Sequence, residues 1–363
     1  GKYKKIGLLG KGGMGSVWRI HDAVLDRHLA LKIIHSDQAQ FVQERANFMK
    51  EARINAQLQH PGIVPVHEFG ELKNGTPYFT MREVKGRTFR DVLKSVHDAS
   101  DNGLWRSAPD GWNFRRLIAA FYSVCETVAY AHSKGVIHQD LKPSNIMIGE
   151  YGEVLVVDWG LAKQIPVKER NSTDSTLAEF KQEPLTISGD RIRVITGSPS
   201  YMAPEQAAGR ADLIDERSDI YCLGSILYEI LSGRTAYQGS AVVIIRMKCN
   251  EEPPSVRSEK VLKGNANRDE TLLQSADKLR SIPDELVDIC EKAMQRKRGD
   301  RHQSATVLAK SVQSWLEGAQ KRDKALKEFE TAATILTSAI AQDASYTKNW
   351  SLANERIQAS DFE

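Results

Sequence analysis

From the start of the chain to about residue 84, apolar positions come in short runs divided by turn signals, the pattern of β-strands. Lys5 to Leu9 leads into a glycine-rich turn, Ser16 to Ile20 reads as extended, and Leu29 to Ile34 is another apolar run. From Phe41 to Gln59 charged and apolar residues recur at helical spacing until Pro61-Gly62 stops them. Two further strands are predicted at Ile63 to Val66 and Tyr78 to Met81, around a turn at Asn74-Gly75. After Gly86 the pattern turns helical. Phe114 to Ser133 predicts an amphipathic helix ended by Gly135, and Ser218 to Ser232 is apolar almost all round, the mark of an enclosed helix. Two polar stretches, about 164–193 and 252–280, read as surface insertions. A β-rich first part and a helical second part predict two lobes with a cleft between them.

The pattern changes again at the end of the chain. From Lys324 onward Leu326, Phe329, Ala333, Leu336 and Ile340 step by three and four, and Trp350, Leu352, Ala353 and Ile357 suggest a second, shorter helix. Such a pair cannot bury both stripes alone. Docking on the helical lobe, the start of a helical repeat and self-association all remain open.

Composition narrows the classes. With 363 residues, 41% hydrophobic and 27% charged, the chain has the make-up of a globular protein with room for a sizeable core. A formal charge of +3 does not announce a nucleic-acid partner, and the basic run Arg296, Lys297, Arg298, Arg301 reads as a solvated helix end. Cys125, Cys222, Cys249 and Cys290 are far apart, which argues against a zinc site or disulfide framework and fits a reducing cytoplasm. No apolar run approaches the roughly 18 residues that span a bilayer. The chain opens at Gly1 and stops at Glu363 without a natural ending, so it is expected to be a piece of a longer protein, whose remainder could carry a membrane segment.

Chemistry enters through four ordered clusters. Gly10-Lys11-Gly12-Gly13-Met14-Gly15-Ser16-Val17 contains G-x-G-x-x-G-x-V. Glycines let backbone N–H groups approach phosphate oxygens with no Cβ in the way, although a surface hairpin is an equal reading of that motif alone. Ala30-Leu31-Lys32 follows on the next strand, and Glu51 on the predicted helix offers a carboxylate to a lysine that would otherwise snorkel to solvent. His138-Gln139-Asp140-Leu141-Lys142-Pro143-Ser144-Asn145 puts a carboxylate, an ammonium and an amide within six residues. Asp158-Trp159-Gly160, after the strand Val154 to Val157, adds a second hard oxygen ligand. An Asp can accept a hydroxyl proton, a Lys can neutralise a phosphoryl group, and Asn and Asp can hold Mg²⁺.

In this order, over about residues 3–316, the set resembles the eukaryotic-type (Hanks-type) protein kinases, and the loops are similar to those of bacterial Ser/Thr kinases. Lys142 with Pro143 resembles the Ser/Thr branch. The resemblance implies an α+β bilobal protein kinase fold: N-lobe and hinge over 1–84, helical C-lobe over 85–316 and a C-terminal helical extension over 317–363. It implies Asp140 as catalytic base, Lys142 on the γ-phosphate, and Lys32 on the α- and β-phosphates with Glu51 behind it. Gly10, Gly12 and Gly15 would cover the phosphates. Leu9, Val17, Ala30 and Met147 would enclose the adenine, Met81 would be the gatekeeper, and the backbone of Arg82 and Val84 would meet the adenine edge. Asn145 and Asp158 would hold Mg²⁺ (or Mn²⁺) beside ATP. Ser198 would help position Asp140 and Lys142, Glu205 of Ala203-Pro204-Glu205 would pair with Arg301, and Asp219 would hold the loop backbone near His138.

Two departures alter the expectations. Gln139 stands where the family has Arg, a residue that commonly pairs with a phosphate of the activation segment, so activity is expected to depend little on phosphorylation there. Trp159 replaces the usual Phe. Ser172, Thr173, Ser175, Thr176, Thr186 and Ser188 are candidate autophosphorylation sites, or a solvated polar loop. The expected activity is transfer of the γ-phosphoryl of Mg·ATP to a protein Ser/Thr hydroxyl in signalling, with a nucleotide-binding pseudokinase scaffold as the alternative.

Overall fold

The computed structural model describes residues 2–13, 15–35, 37–100, 105–165, 198–257 and 282–360. The six candidate phosphorylation sites, and most of both polar stretches, lie outside them. The chain divides into two compact units, Gly1–Val312 and Gln313–Glu363.

The first unit opens with five strands, β1 (Tyr3–Lys11), β2 (Gly15–Asp22), β3 (Arg27–Ile34), β4 (Val66–Glu71) and β5 (Pro77–Arg82), in an antiparallel sheet of order β1-β2-β3-β5-β4. Helix α1 (Val42–Gln57) interrupts the series. The sheet is buried on two faces. Ile20, Leu29, Leu31 and Ile33 make one cluster, with Tyr3, Trp18 and Tyr78 packed on it. Ile34, Phe79 and the α1 residues Phe48 and Ala52 make the other. Directly paired residues share a face of an antiparallel sheet. The pairings Val17 with Lys32, Ala30 with Met81 and Lys32 with Phe79 therefore put Val17, Ala30, Lys32 and Met81 on the α1 side.

Strand β4 begins later than the apolar run Ile63 to Val66 predicts. Pro65 has no N–H for a ladder, so it serves only as an acceptor, from Arg82 N–H at 3.2 Å. Ile63 instead bridges to Val156. The Asn74-Gly75 turn forms as expected, with Gly75 at φ +75° and its N–H donating to Leu72 O at 2.8 Å.

The rest of the unit is mainly helical. Strand β6 (Gly86–Thr88) leads into α2 (Phe89–Ala99), whose start is a capping box: Thr88 Oγ1 accepts from Asp91 N–H and Asp91 Oδ2 accepts from Thr88 N–H, both at 3.2 Å. Helix α3 (Phe114–Ser133) spans the predicted residues, capped by Asn113. Four short strands follow, β7 (Val136–Ile137), β8 (Ile146–Gly149), β9 (Val154–Val156) and β10 (Lys163–Gln164), forming the sheets β6-β8-β9 and β10-β7. Helix α4 (Pro204–Ala207) is one turn. Helix α5 (Glu216–Ser232) buries Ser218 through Tyr228 without a break and ends on Gly233 at φ +77°. Among the described residues, helices α6 (Ala241–Asn250) and α7 (Asp284–Ala293) follow, then the first residues of α8 (Ala305–Ser360).

The two terminal helices expected from the apolar stripes are one helix of 56 residues. Between Ala319 and Ser360 there is neither Gly nor Pro, so no residue stops propagation. Phe329, Leu336 and Ile340 of the first stripe and Trp350 of the second are exposed.

Candidate active site

Lys32 projects from β3 and its Nζ lies 2.5 Å from Glu51 Oε1 on α1 and 3.6 Å from Asp158 Oδ1. Burial works against its charge, but the two carboxylates outweigh it and hold the Lys32 pKa above the usual lysine value. Glu51 is 2% exposed and its other oxygen, Oε2, has no hydrogen-bond partner among the described residues. Burial, against the pull of Lys32 and reinforced by Asp158, pushes the Glu51 carboxyl up. Gly160 belongs to the same corner: a Cβ there would sit 3.3 Å from Glu51 Oε2 and 3.4 Å from Asp158 Oδ1. The third residue of Asp158-Trp159-Gly160 therefore lies close under two carboxylates.

The loop after β7 is held by backbone bonds that the helices supply. Asp219 of α5 accepts from His138 N–H at 2.7 Å and Gln139 N–H at 2.9 Å, and from His132 Nε2 at 2.9 Å. Burial alone would raise the Asp219 carboxyl; the His132 hydrogen bond and the histidine and N–H neighbours overcome it and keep it low. Gln139 itself has φ +67°, a left-handed conformation that costs a non-glycine residue on the order of 1 kcal/mol. His138 Nε2 meets Val157 O at 3.2 Å, and its ring packs on Trp159 at 4.6 Å. Trp159 is buried and donates through Nε1 to Val156 O at 3.3 Å, so the larger ring is accommodated with its N–H satisfied.

Asp140 is the hub of what this loop presents. Its Oδ2 accepts from Lys142 Nζ at 2.6 Å and from Asn145 Nδ2 at 3.2 Å, and its Oδ1 from Ser198 N–H at 3.1 Å. Lys142 Nζ also reaches Ser198 Oγ at 2.8 Å. Asn145 Nδ2 bonds Asp140 O too, at 2.9 Å. With its amide N–H groups spent on Asp140, the atom Asn145 can offer a ligand is its side-chain carbonyl oxygen. Val157 N–H donates to Asn145 O at 2.9 Å, which sets Asp158 next to that residue along the backbone. Asp158 is at φ +65° with its side chain 51% exposed. An amide carbonyl and an open carboxylate are the hard oxygen ligands that suit Mg²⁺, so this set fits the ion.

The remaining predicted positions fall into two groups. Val17, Ala30, Lys32 and Met81 share the inner face of the sheet, while Met147 lies on β8 opposite Thr88 and Leu155. Leu9 sits in the β1 register shift between Leu8 and Gly10 and is exposed. Arg82 N–H is committed to Pro65 O, so only its carbonyl is left for a ligand; Val84 follows the strand end and is half-buried. Among the glycines, a Cβ on Gly10 would meet nothing within 4 Å and one on Gly12 would meet Gly15 O at 3.8 Å, leaving the loop open to an approaching ligand. A Cβ on Gly15 would come within 2.3 Å of Ile33 O, so Gly15 is dictated by strand packing.

Sequence reasoning missed several participants. His132 supports Asp219 from the last turn of α3, and His35 and Gln38 bond the carbonyls of Gly12 and Gly13 at 3.1 and 2.9 Å. Gln206 donates to Gln139 O at 2.8 Å. None stands in a spacing that signals chemistry. The two long-range pairs that were expected are present: Arg301 is bidentate on Glu205 at 2.8 and 2.9 Å, and Asp219 grips the loop as above.

Residues 3–313 match the family model described as protein kinase domain. The chain is 35% identical over 318 residues to serine/threonine-protein kinase PknD of Protochlamydia amoebophila, covering 87% of this chain and 30% of that protein. It is 34% identical over 323 residues to PknD of Chlamydia trachomatis serovar L2b, and 34% over 325 residues to PknD of Chlamydia muridarum, covering in each case 87% of this chain and 32% of the relative. The chain thus spans about a third of the length of the curated relatives it matches.

Proposed function

The chain belongs to the protein kinase domain family, and from that premise we propose that it transfers the γ-phosphoryl group of Mg·ATP to a Ser or Thr hydroxyl of another protein. The observation that carries this reading is the cluster around Asp140: a carboxylate bonded at once by Lys142, Asn145 and the Ser198 N–H, with Asp158 one backbone bond away.

Phosphoryl transfer passes through a loose, charge-spread transition state, so the protein's work is positioning and neutralisation. Asp140 would orient the acceptor hydroxyl and take its proton as the oxygen bonds to the γ-phosphorus and the bond to the β-phosphate oxygen breaks. Lys142, between Asp140 and Ser198, would follow the γ-phosphoryl oxygens. Lys32, kept cationic by Glu51, would hold the α- and β-phosphates, with Gly10, Gly12 and Gly15 covering them. Asn145 and Asp158 would bind Mg²⁺, which supplies charge stabilisation when bound. Leu9, Val17, Ala30, Met81 and Met147 would enclose the adenine, and the Arg82 carbonyl and the Val84 backbone would meet its edge. Mn²⁺ could replace Mg²⁺ on the same oxygens. All the phosphate- and metal-facing types are present, which leaves a scaffold that only binds nucleotide without a supporting residue.

The substrate would be a protein presenting Ser or Thr, since Lys142-Pro143 resembles the Ser/Thr branch. No helix among the described residues is long and apolar enough to cross a membrane. The N-lobe, C-lobe and extension division at residues 84 and 316 and self-association through the extension are part of the same proposal.

Incubating the purified chain with labelled ATP, Mg²⁺ and casein should label Ser and Thr residues. Asp140→Asn should lower transfer at least 1,000-fold, roughly 4 kcal/mol of barrier, while binding ATP with nearly unchanged affinity. Equal labelling by wild type and Asp140→Asn would overturn the assignment.

A further inference from the structure

The backbone of His138 and Gln139, just before Asp140, is held by two side chains from outside the loop, and the sequence motifs account for only one. His138 N–H and Gln139 N–H are both taken by the Asp219 carboxylate. The Asp140 N–H donates to His138 Nδ1 at 3.3 Å within the loop, and the Gln139 carbonyl is displayed by a residue in the left-handed region. It accepts from Gln206 Nε2 at 2.8 Å. At its other end Gln206 Oε1 accepts from Ala203 N–H at 2.8 Å and lies 3.7 Å from Cys222 Sγ on α5. One amide thus ties the entry of α4, a turn of α5 and the loop that carries Asp140.

The direction of these bonds gives the amide a job that a carboxylate cannot do. Gln206 is at the third helical position of α4, where its oxygen satisfies the N-cap N–H. That bond uses only the amide oxygen, so the nitrogen can turn toward the loop. Ala203 closes the same stretch that begins at Ser198, whose N–H and Oγ contact Asp140 and Lys142. The α4 entry and the catalytic loop therefore meet twice, once at Ser198 and once at Gln206.

We propose that Gln206 is a positioning residue for phosphoryl transfer: its amide N–H fixes the left-handed Gln139–Asp140 peptide, and so the direction of the Asp140 carboxylate, from the α4 entry. The proposal rests on the kinase reading given above. It makes the alignment of Asp140 depend on a neutral hydrogen bond that needs no charged partner at residue 139.

Gln206→Glu is the discriminating variant, because it keeps the acceptor for Ala203 N–H and the volume while removing the donor. Gln206→Ala removes both bonds. Both are assayed for kcat and ATP KM with labelled ATP, Mg²⁺ and casein, beside wild type and Asp140→Asn, with melting temperature and ATP affinity measured on each. The expected result is a fall in kcat of about tenfold for both variants at pH 8, with ATP KM within twofold of wild type. The Glu deficit relative to wild type should shrink as pH falls toward 5.5, because a protonated carboxyl regains a donor; the Ala deficit should not. A Gln206→Glu kcat equal to wild type at pH 8 would overturn the inference alone. So would losses that track only melting temperature, or a Glu/wild-type ratio flat with pH. Wild type no more active than Asp140→Asn would instead overturn the kinase reading, and this inference with it.

Discussion

Lys248 is the side chain whose chemistry is least comfortable with its place. It is fully buried on α6, with its Nζ over the rings of Tyr221 at 4.7 Å and Tyr237 at 4.5 Å and no hydrogen-bond partner among the described residues. Burial pushes its pKa down to about 7; Cys222 and Glu205 pull up, while Arg301 pushes down. Two ring faces return part of the lost hydration to a cation, on the order of 1–2 kcal/mol in total. The sign of the pH effect follows from linkage. Above the ordinary lysine value both folded and unfolded chains are neutral and nothing is lost; below about 7 both are charged and the full cost falls on the fold. Lys248→Met should therefore be more stable than wild type below pH 7, by about 3 kcal/mol once the ring contribution is subtracted. The advantage should fade as pH rises toward 10. Urea melts of both proteins at pH 6, 8 and 9.5 check this, and a difference that stays constant across the series would refute it.

At the scale of elements, the glycine turn separates two reasons for glycine in one motif. Gly15 pairs with Ile34 at the start of β2, where a Cβ would come within 2.3 Å of the Ile33 carbonyl oxygen, whereas Gly10 has open space. Gly15→Ala should lower stability by about 1–3 kcal/mol through forced separation of β2 from β3. Gly10→Ala should leave the melting temperature within a degree or two, whatever it does to nucleotide binding. Calorimetry on the two variants separates packing from ligand access, and equal melting temperatures would show that the strands yield at no cost. Such packing was not legible in the chain: G-x-G-x-x-G-x-V says only that backbone comes close to something. Apolar patterning was most informative at α3, which fell on its predicted residues, and at β3 and α5, which each began only two residues early. It failed at β4, where the apolar run was used for a bridge and the ladder passed to the alternating polar residues after Pro65. It failed again at α8, where two stripes suggested two helices although no breaker separates them. In the site, Lys32, Glu51, Asp140, Lys142, Asn145 and Asp158 could be named because charged types and one amide at fixed order have few other uses. Gln206, His132, His35 and Gln38 were invisible because neutral or singly placed polar residues, most of them acting on a backbone group, leave no pattern.

Over the whole kinase unit, one arginine joins segments far apart in the chain, and contrary to the solvated helix end expected of its basic run, it is buried. Arg301 has five N–H donors and the structure uses five contacts for them: Glu205 Oε1 and Oε2, and the carbonyls of Arg217, Gln295 and Arg296, all between 2.7 and 3.1 Å. Ser218 Oγ adds a bond to Glu205 Oε1 at 2.7 Å. Burial alone would raise the Glu205 carboxyl, but Arg301 holds it below the usual value. The pair therefore contributes stability above the ordinary glutamate pKa, and that contribution is lost as pH falls through the lowered folded value. An ammonium has three donors and no fork, so Arg301→Lys keeps the charge and still abandons at least two carbonyl or carboxylate contacts. Removing the cation is worse: Arg301→Met leaves a buried carboxylate unpaired and should cost about 3–5 kcal/mol at pH 7. Most of that cost belongs to the abandoned Glu205 rather than to the lost attraction. Glu205→Gln added to Arg301→Met should hence recover a substantial part of it, although the amide so introduced would still lack the guanidinium's two hydrogen bonds. Urea denaturation of the two single variants and the double variant forms the cycle. A double variant no more stable than Arg301→Met would mean that the arginine acts through its three backbone carbonyls instead, holding the segment before α8 against the start of α5.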